Sequence, residues 1–384
     1  MSKSDTKKIN FGDLVKKFFK SSLALPICAL IIVIILSAIV TKIKYGANFF
    51  SINIKNVGLE GETKYVLYGY IIDILNRASE LVILAVGMTL VVAASKGTDI
   101  SVGSVMAIAA AITVRLLGES YDSYAMLPFF AILLGILGAV ACGAFNGLLV
   151  AKFKIQPMVA TLILYTAGRG IAQLISSRPI EGTGKYATGV ILYIRKESFR
   201  WIGGFLPHNI IPTPIYIAVV FVIIASLFLR FTAFSTYVKT VGINDRAGRL
   251  VGINSVLVIF STYVISGLCS GVAGVISASR IYSSDANNIG LNLELDAILA
   301  VALGGNSLGG GKFNLLGSII GAITIQALTT SLYAIGVPAN QLPVYKAIVV
   351  ILIVLFQSPV FKAALNRAKN RRLSKKNQSA VVHA

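Results

Sequence analysis

From Ser22 to Thr41 the chain carries no charged side chain, and Lys20 and Lys42 stand just outside the two ends of this run. About 20 mostly apolar residues are enough for a helix to cross a hydrocarbon core of about 30 Å. Helices and closed barrels alone satisfy their own backbone in lipid, so the run reads as a membrane span. It is too long for the apolar region of a cleaved signal peptide, and no small-x-small cleavage site follows it. Nine further candidates lie at 68–95, 102–118, 126–150, 156–176, 212–229, 255–279, 295–305, 313–334 and 344–361. The run at 295–305 is the shortest and reads as a half-helix or part of a broken span. The fold expected is an all-α polytopic membrane protein with about ten transmembrane helices, some of them discontinuous.

Composition agrees. Of 384 residues, 56% are hydrophobic and 13% charged, about half the share of charge usual in soluble domains, roughly 25%. A soluble enzyme of this length, a disordered chain and a secreted disulfide scaffold are all excluded. Cys28, Cys142 and Cys269 stand far apart inside apolar runs. They form neither a disulfide framework nor a zinc pattern. His208 and His383 have no second ligand nearby.

The formal charge of +20 comes from 35 basic and 15 acidic residues. With ten spans and a cytoplasmic N-terminus, the C-terminus is cytoplasmic too. Twenty-one basic residues then lie inside and nine outside, with five in the spans or at their ends. That is the asymmetry of the positive-inside rule, and nucleic acid is not needed to explain the charge. Before the first span, Phe11, Leu14, Val15 and Phe18 recur at helical spacing, with Lys7, Lys8, Lys16, Lys17 and Lys20 on other faces. A basic amphipathic helix of this kind lies on an anionic inner leaflet.

Small residues mark where helices meet. Ala131, Gly135, Ala139, Gly143 and Gly147 form an i+4 stripe, as do Gly103, Ala107 and Ala111. Gly267 with Gly271 and Gly317 with Gly321 repeat the spacing. Helices in lipid associate by close backbone approach along such stripes. Polar residues at membrane depth are functional by default. Asp99 and Ser101 sit in Gly97-Thr98-Asp99-Ile100-Ser101-Val102-Gly103, and Asn146, Thr161, Arg169 and Gln173 lie within later spans. Asn306 and Ser307 sit in a glycine-rich run from Gly304 to Gly311. Two Gly-rich polar interruptions suggest discontinuous helices lining a cavity, with helix capping as the other reading. For Asp99, capping the helix that starts near Ser101 and contacting a substrate are both open. Lys312 after the glycine run does not complete a phosphate loop, because Asn306 and Phe313 occupy required positions. No nucleotide-hydrolysing motif, Ser-His-Asp set or HExxH is present.

The run from Gly97 to Ala107 (GTDISVGSVMA) resembles a signature of the monosaccharide ABC-importer permeases of the ribose and galactoside type. Asn146-Gly147-Leu148-Leu149-Val150 with Ile155-Gln156-Pro157 matches a second segment of that family, and Leu295-Asp296-Ala297-Ile298 with Gly304–Gly311 a third. The resemblance spans about residues 68–360. Ile72–Ala78, Ala167–Gln173 and Asp285–Asn288 are similar to the bacterial galactofuranose permease branch, which points to a furanose. Lys96 and Thr98 depart from the Gly and Ile usual at those positions.

The resemblance implies a non-catalytic permease subunit of the bacterial cytoplasmic membrane. It would bind no cofactor itself, ATP being used by partner ABC ATPase subunits. An extracytoplasmic sugar-binding protein, a second permease subunit, identical or paralogous, and the lipid bilayer complete its partners. The domains expected are a basic amphipathic cytoplasmic segment at 1–21, a transmembrane permease domain at 22–361, and a basic cytoplasmic tail at 362–384. Within the permease domain, an inner loop at about 230–254 would couple to the ATPases. A short helix over Asp245–Val251, with Asn244, Asp245, Arg246, Ala247, Arg249 and Gly252, would dock there, Arg246 and Arg249 pairing with acids. Asp99, Ser101, Asn146, Thr161, Arg169, Gln173, Asn306 and Ser307 are the substrate-path candidates. Arg169 has a second reading as a brace, paired with Asp73, Glu80 or Asp296. Outer loops at 177–211 and 280–294 would receive the binding protein. A self-sufficient secondary sugar transporter or channel is the competing class; it accounts for the spans but not for these motifs.

Overall fold

A computed structural model describes residues 21, 23–46, 48–56, 65–119, 124–180, 184–194, 197–207 and 209–357. The basic amphipathic pattern before Ser21 and the basic tail lie outside the described residues. Helices α1 (Ala24–Tyr45), α2 (Tyr70–Ser95), α3 (Val102–Leu117), α4 (Pro128–Ala151) and α5 (Pro157–Ile175) come first. A short α6 (Arg200–Gly203) precedes α7 (Thr213–Phe231), α8 (Phe234–Ile243), α9 (Asp245–Leu250) and α10 (Ser255–Ile281). Then follow α11 (Leu293–Leu303), α12 (Leu315–Ile335) and α13 (Leu342–Gln357). Each of the ten candidate spans has its helix. Among the described residues, seven helices are long and apolar enough to cross a membrane.

Local chemistry sets many of the boundaries. Proline stands in the first turn of α4, α5 and α7, where its missing N–H costs nothing and its fixed φ suits a helix. Asn254 caps α10 by accepting from the Leu257 N–H at 3.1 Å. Two elements stop short. The 11 residues of α11 rise about 1.5 Å each, so they cover about half of the hydrocarbon thickness. The 16 residues of α3 fall short as well.

The centre is α2, which carries Asp73, Asn76, Arg77 and Glu80 in its first turns but from Leu81 to Ala94 is apolar on all sides save Thr89, and whose most apolar stretch is 94% buried. A helix without a polar face belongs inside a bundle. By contrast α7 is only 11% buried, and its outward Val219, Val220, Ile223 and Ile224 suit contact with lipid. The small-residue stripe of α4 lies along α10. A Cβ on Gly143 would stand 2.4 Å from the Tyr263 carbonyl oxygen and 2.9 Å from the Gly267 Cα. The pairs Gly147 with Phe260 and Gly271 with Ile136 continue this antiparallel contact. Gly317 and Gly321 bring α12 against Gly304 and Ala300 at the end of α11 in the same way.

Among the described residues, three two-stranded antiparallel pairings occur in the connections, which the sequence does not announce. They are β1 (Asn53–Asn56) with β2 (Tyr65–Tyr68), β3 (Arg178–Ile180) with β4 (Lys185–Ala187), and β5 (Leu192–Tyr193) with β6 (Ser283–Ser284). The described residues up to Thr330 form one compact unit, and those from Ser331 to Gln357, with the end of α12 and all of α13, belong to a second.

Candidate functional site: the two helix breaks

The first break follows α2. Lys96 takes the left-handed conformation at φ 57°, and residues 96–101 run without helix before α3. Asp99 fastens this segment. Its Oδ1 accepts from the Ser101 N–H at 3.0 Å and the Ser101 hydroxyl at 2.7 Å, and its Oδ2 accepts from the Ser266 hydroxyl of α10 at 2.9 Å. Asn146 of α4 donates to the Ser101 oxygen at 2.8 Å, and Thr161 of α5 accepts from the Ile100 N–H at 3.2 Å. One network therefore joins Asp99, Ser101, Asn146 and Thr161, all buried, across four elements. Ser266 is a member that sequence reasoning missed.

Depth follows from counting. Ser266 is eleven residues beyond Ser255, the first of the 27 in α10. At about 1.5 Å per residue it stands about 16 Å along that helix, near mid-span. The first turn of α3 therefore opens at membrane depth.

The second break, residues 282–292, follows α10. Tyr282 and Asn292 take the left-handed conformation at φ 56° and 64°. Asp285 closes the turn between them: Oδ1 accepts from the Asn287 and Asn288 N–H groups at 2.9 and 3.2 Å. Ser283, Ser284, Ala286 and Ile289 are buried. Although 280–294 was expected to be an outer landing loop, much of it is packed into the bundle. A Cβ on Gly103 would lie 2.2 Å from both the Gly290 carbonyl oxygen and Glu294 Oε2. Any side chain at Gly103 would separate the starts of α3 and α11, which meet there.

Arg169 and Gln173 of α5 hold this turn. Arg169 Nη1 donates to the carbonyls of Ala286, Asn287 and Ile289 at 3.0, 3.1 and 3.1 Å. Gln173 donates to Asn287 Oδ1 at 2.7 Å. The bracing reading of Arg169 thus finds backbone carbonyls as its partners. Two acids offered for that role pair elsewhere, Asp73 with Arg77 at 3.2 Å and Glu80 with Arg280 at 2.9 Å.

Asn306 and Ser307 are separate from these groups. Buried Asn306 donates to the Val301 carbonyl at 3.0 Å and the Ser318 hydroxyl at 2.8 Å, and accepts from the Asn314 N–H. Thr89 of α2 donates to the same Ser318 hydroxyl at 2.7 Å. Asn306 so ties the end of α11 to α12 and α2, while Ser307 is exposed. Beyond it, the Gly311 N–H donates to the Ala93 carbonyl at 2.9 Å. Lys96 Nζ donates to the Ile243 carbonyl at 3.3 Å. Between them Gly242 lies so close that a Cβ there would stand 1.8 Å from the Ala93 oxygen.

The segment at 230–254 holds more helix than its sequence suggested. The 10 residues of α8 precede the expected short helix, α9. Asn244 caps α9, its Oδ1 accepting from the Arg246 and Ala247 N–H groups at 3.0 and 3.2 Å. Arg249 pairs with Asp245 one turn earlier, and that hydrogen bond holds the Asp245 carboxyl below its ordinary range. Arg246 is exposed, and Gly252 turns the chain at φ 80°. Leu250 and Val251 are 89% and 72% exposed, an apolar tip that sequence reasoning missed. Among the described residues no group of three His, Cys, Asp or Glu side chains could hold a metal ion.

Residues 70–357 match the family model described as the permease component of a branched-chain amino acid transport system. The chain is 45% identical over 307 residues to the galactofuranose transporter permease protein of Escherichia coli K12, covering 79% of this chain and 84% of the relative. It is 35% identical to a fructose import permease protein of Bifidobacterium longum, with 98% of each chain covered. Identity to the ribose import permease protein of Escherichia coli K12 is 33%, over 88% of this chain and 96% of that one. No solved structure matches the chain.

Proposed function

Because the chain belongs to this family of transport permease components, we propose that it is the membrane subunit of an ATP-driven importer of a monosaccharide. The observation that carries the reading is similarity to sugar import permeases, over 98% of the chain for the fructose import permease protein and 79% for the galactofuranose permease protein. Galactofuranose or a related furanose is the substrate favoured, on the 45% identity to the galactofuranose permease protein. The chain would work in a bacterial cytoplasmic membrane, with both termini inside. ABC ATPases beneath it hydrolyse ATP, a sugar-binding protein delivers substrate from outside, and a second permease, identical or paralogous, completes the pathway.

In this mechanism α9 is the contact with the ATPase. Arg249 is engaged with Asp245, so the free features of α9 are the Arg246 guanidinium and the apolar Leu250 and Val251. The helix breaks are where alternating access acts, since short helices meeting at mid-depth can part without breaking a full span. Asp99, Ser101, Asn146 and Thr161 hold one side of that joint, and Arg169 and Gln173 the other. A binding protein drives the cycle by favouring one of the two states.

Co-purification and vesicle uptake test this. The complex should bring down an ATPase subunit and accumulate labelled sugar only with ATP. Uptake without ATP or an ATPase would instead establish the secondary-transporter reading. Charge reversal of Arg246 and Arg249 to Glu, combined with Leu250→Asp, should abolish ATP-dependent uptake while leaving the protein in the membrane. Unchanged uptake would remove α9 from the coupling role.

A further inference from the structure

Among the described residues, three buried polar atoms at the second break have no hydrogen-bond partner, the Ser284 hydroxyl and two atoms of charged side chains, Arg169 Nη2 and Glu294 Oε2. Native structures leave few such groups unpaired, and each one asks for an explanation. Glu294 is 2% exposed, so water does not satisfy it from outside. The two side chains border one turn. Arg169 Nη1 holds the carbonyls of Ala286, Asn287 and Ile289, while Glu294 Oε2 stands with the Gly290 carbonyl against the Gly103 backbone. No ion pair joins them among the described residues. An unused donor and an unused acceptor thus lie at one joint, apart from each other, where α3 and α11 begin.

A group that completes this site must accept from a guanidinium N–H and donate to a carboxylate oxygen. A hydroxyl does both with one oxygen atom. A fully deprotonated anion has no proton for Glu294, and a metal cation has no acceptor for Arg169. We propose that Arg169 and Glu294 read one hydroxyl of the transported polyol. As the 286–290 turn draws back from Gly103, that hydroxyl accepts from Arg169 Nη2 and donates to Glu294 Oε2. The contact to be opened is that of the Gly290 carbonyl and the Glu294 carboxylate with the Gly103 backbone, which carries no side chain of its own. The closed joint leaves both groups unpaired, and substrate entry pairs them. Arg169 Nη1 keeps its hold on the turn meanwhile, so the arginine positions the turn with one nitrogen and meets the substrate with the other. The inference rests on the sugar-importer reading and adds the substrate-contacting pair within it.

The test uses the complete transporter in vesicles with its ATPase and binding protein. Labelled D-galactose, D-fructose and D-ribose are offered, and the sugar transported is then compared with its monodeoxy analogues. Each is supplied as saturating loaded binding protein, so that the selectivity of the binding protein drops out. The wild type should transport one analogue about tenfold or more slowly, the loss expected of one hydrogen bond to a charged group. In Glu294→Gln the parent sugar should slow to about that rate, and the same analogue should suffer no further penalty. Arg169→Lys, which keeps a cation for the carbonyls of the turn, should erase the same penalty and no other.

Variants that assemble, hydrolyse ATP and keep every analogue ratio at its wild-type value would overturn the proposal. So would failure of both variants to assemble, because a substrate-reading pair is dispensable for folding. Absence of ATP-dependent uptake in the wild type would instead refute the importer reading itself. A uniform slowing of parent and analogues alike would assign the pair to water or to the seal, against this proposal.

Discussion

Replacing Asp99 separates a structural fastener from a substrate contact. In Asp99→Ala three buried donors lose their acceptor: the Ser101 N–H, the Ser101 hydroxyl and the Ser266 hydroxyl. A buried donor left without a partner costs about 1–3 kcal/mol. The Ser266 hydroxyl can turn to a carbonyl one helical turn back, as Ser270 does to Ser266 at 3.0 Å. The Ser101 N–H opens α3 and has no such substitute close by. With one donor rescued and the weak side-chain hydrogen bonds typical of membrane bundles, the net loss is about 3 kcal/mol. Asp99→Asn keeps one oxygen for Ser101, and its amide can donate to the Ser266 oxygen, so its cost is about 1 kcal/mol. The assay is thermal unfolding in detergent, read by a thiol dye on Cys269, which is buried. Stability should fall in the order wild type, Asn variant, Ala variant, with uptake falling in parallel. An Ala variant as stable as wild type but unable to transport would refute the fastening argument and return Asp99 to the substrate.

Two further outcomes follow from the packing and from the inner surface. Gly143→Val forces a branched side chain into the Tyr263 carbonyl and Gly267; overpacking of this kind costs about 1–3 kcal/mol, measurable as loss of assembled protein on detergent chromatography. Asp245 has its carboxyl held down by the hydrogen bond from Arg249. Its contribution is present above the unfolded carboxyl value of about 3.9 and is lost as pH falls through the lower folded value. Amide exchange over Ala247–Leu250, corrected for intrinsic rate, should stay flat from about pH 5 to 8 and rise only in stronger acid; a rise near neutrality would refute the pairing.

How much of this was legible depended on whether a feature repeats or acts once. Ten apolar runs and the α4 stripe are periodic signals, so the spans and a packing seam on α4 could be read directly, though not that α10 is its partner. The break at Gly97–Gly103 was legible because glycine and a carboxylate interrupt an apolar stretch. The break at 282–292 was not, since Asp285-Ala286-Asn287-Asn288 is the chemistry of any exposed turn. Only its hydrogen bonds to Arg169 and Gln173 mark it as part of the bundle. Glu294 escaped notice for the same reason, standing at a helix start where acids are ordinary. The helix α8 was hidden by Thr236, Lys239 and Thr240, which made the segment look like part of a polar loop. The grouping of candidates was also beyond the sequence: Asn306 looked like a companion of Asn146, yet it serves α2, α11 and α12.

The backbone knot of Ala93, Gly242 and Gly311 has a mechanical meaning. Side-chain contacts have slack, because rotamers yield before a helix moves. Here the main chain at the end of α8 bears directly on the main chain at the end of α2, with the Gly311 N–H bonded to the same carbonyl. If α9 is the ATPase contact proposed above, a push delivered there enters the transporter at its central column, like a crankpin set on the shaft. Little of the stroke is absorbed before it reaches the most deeply buried helix.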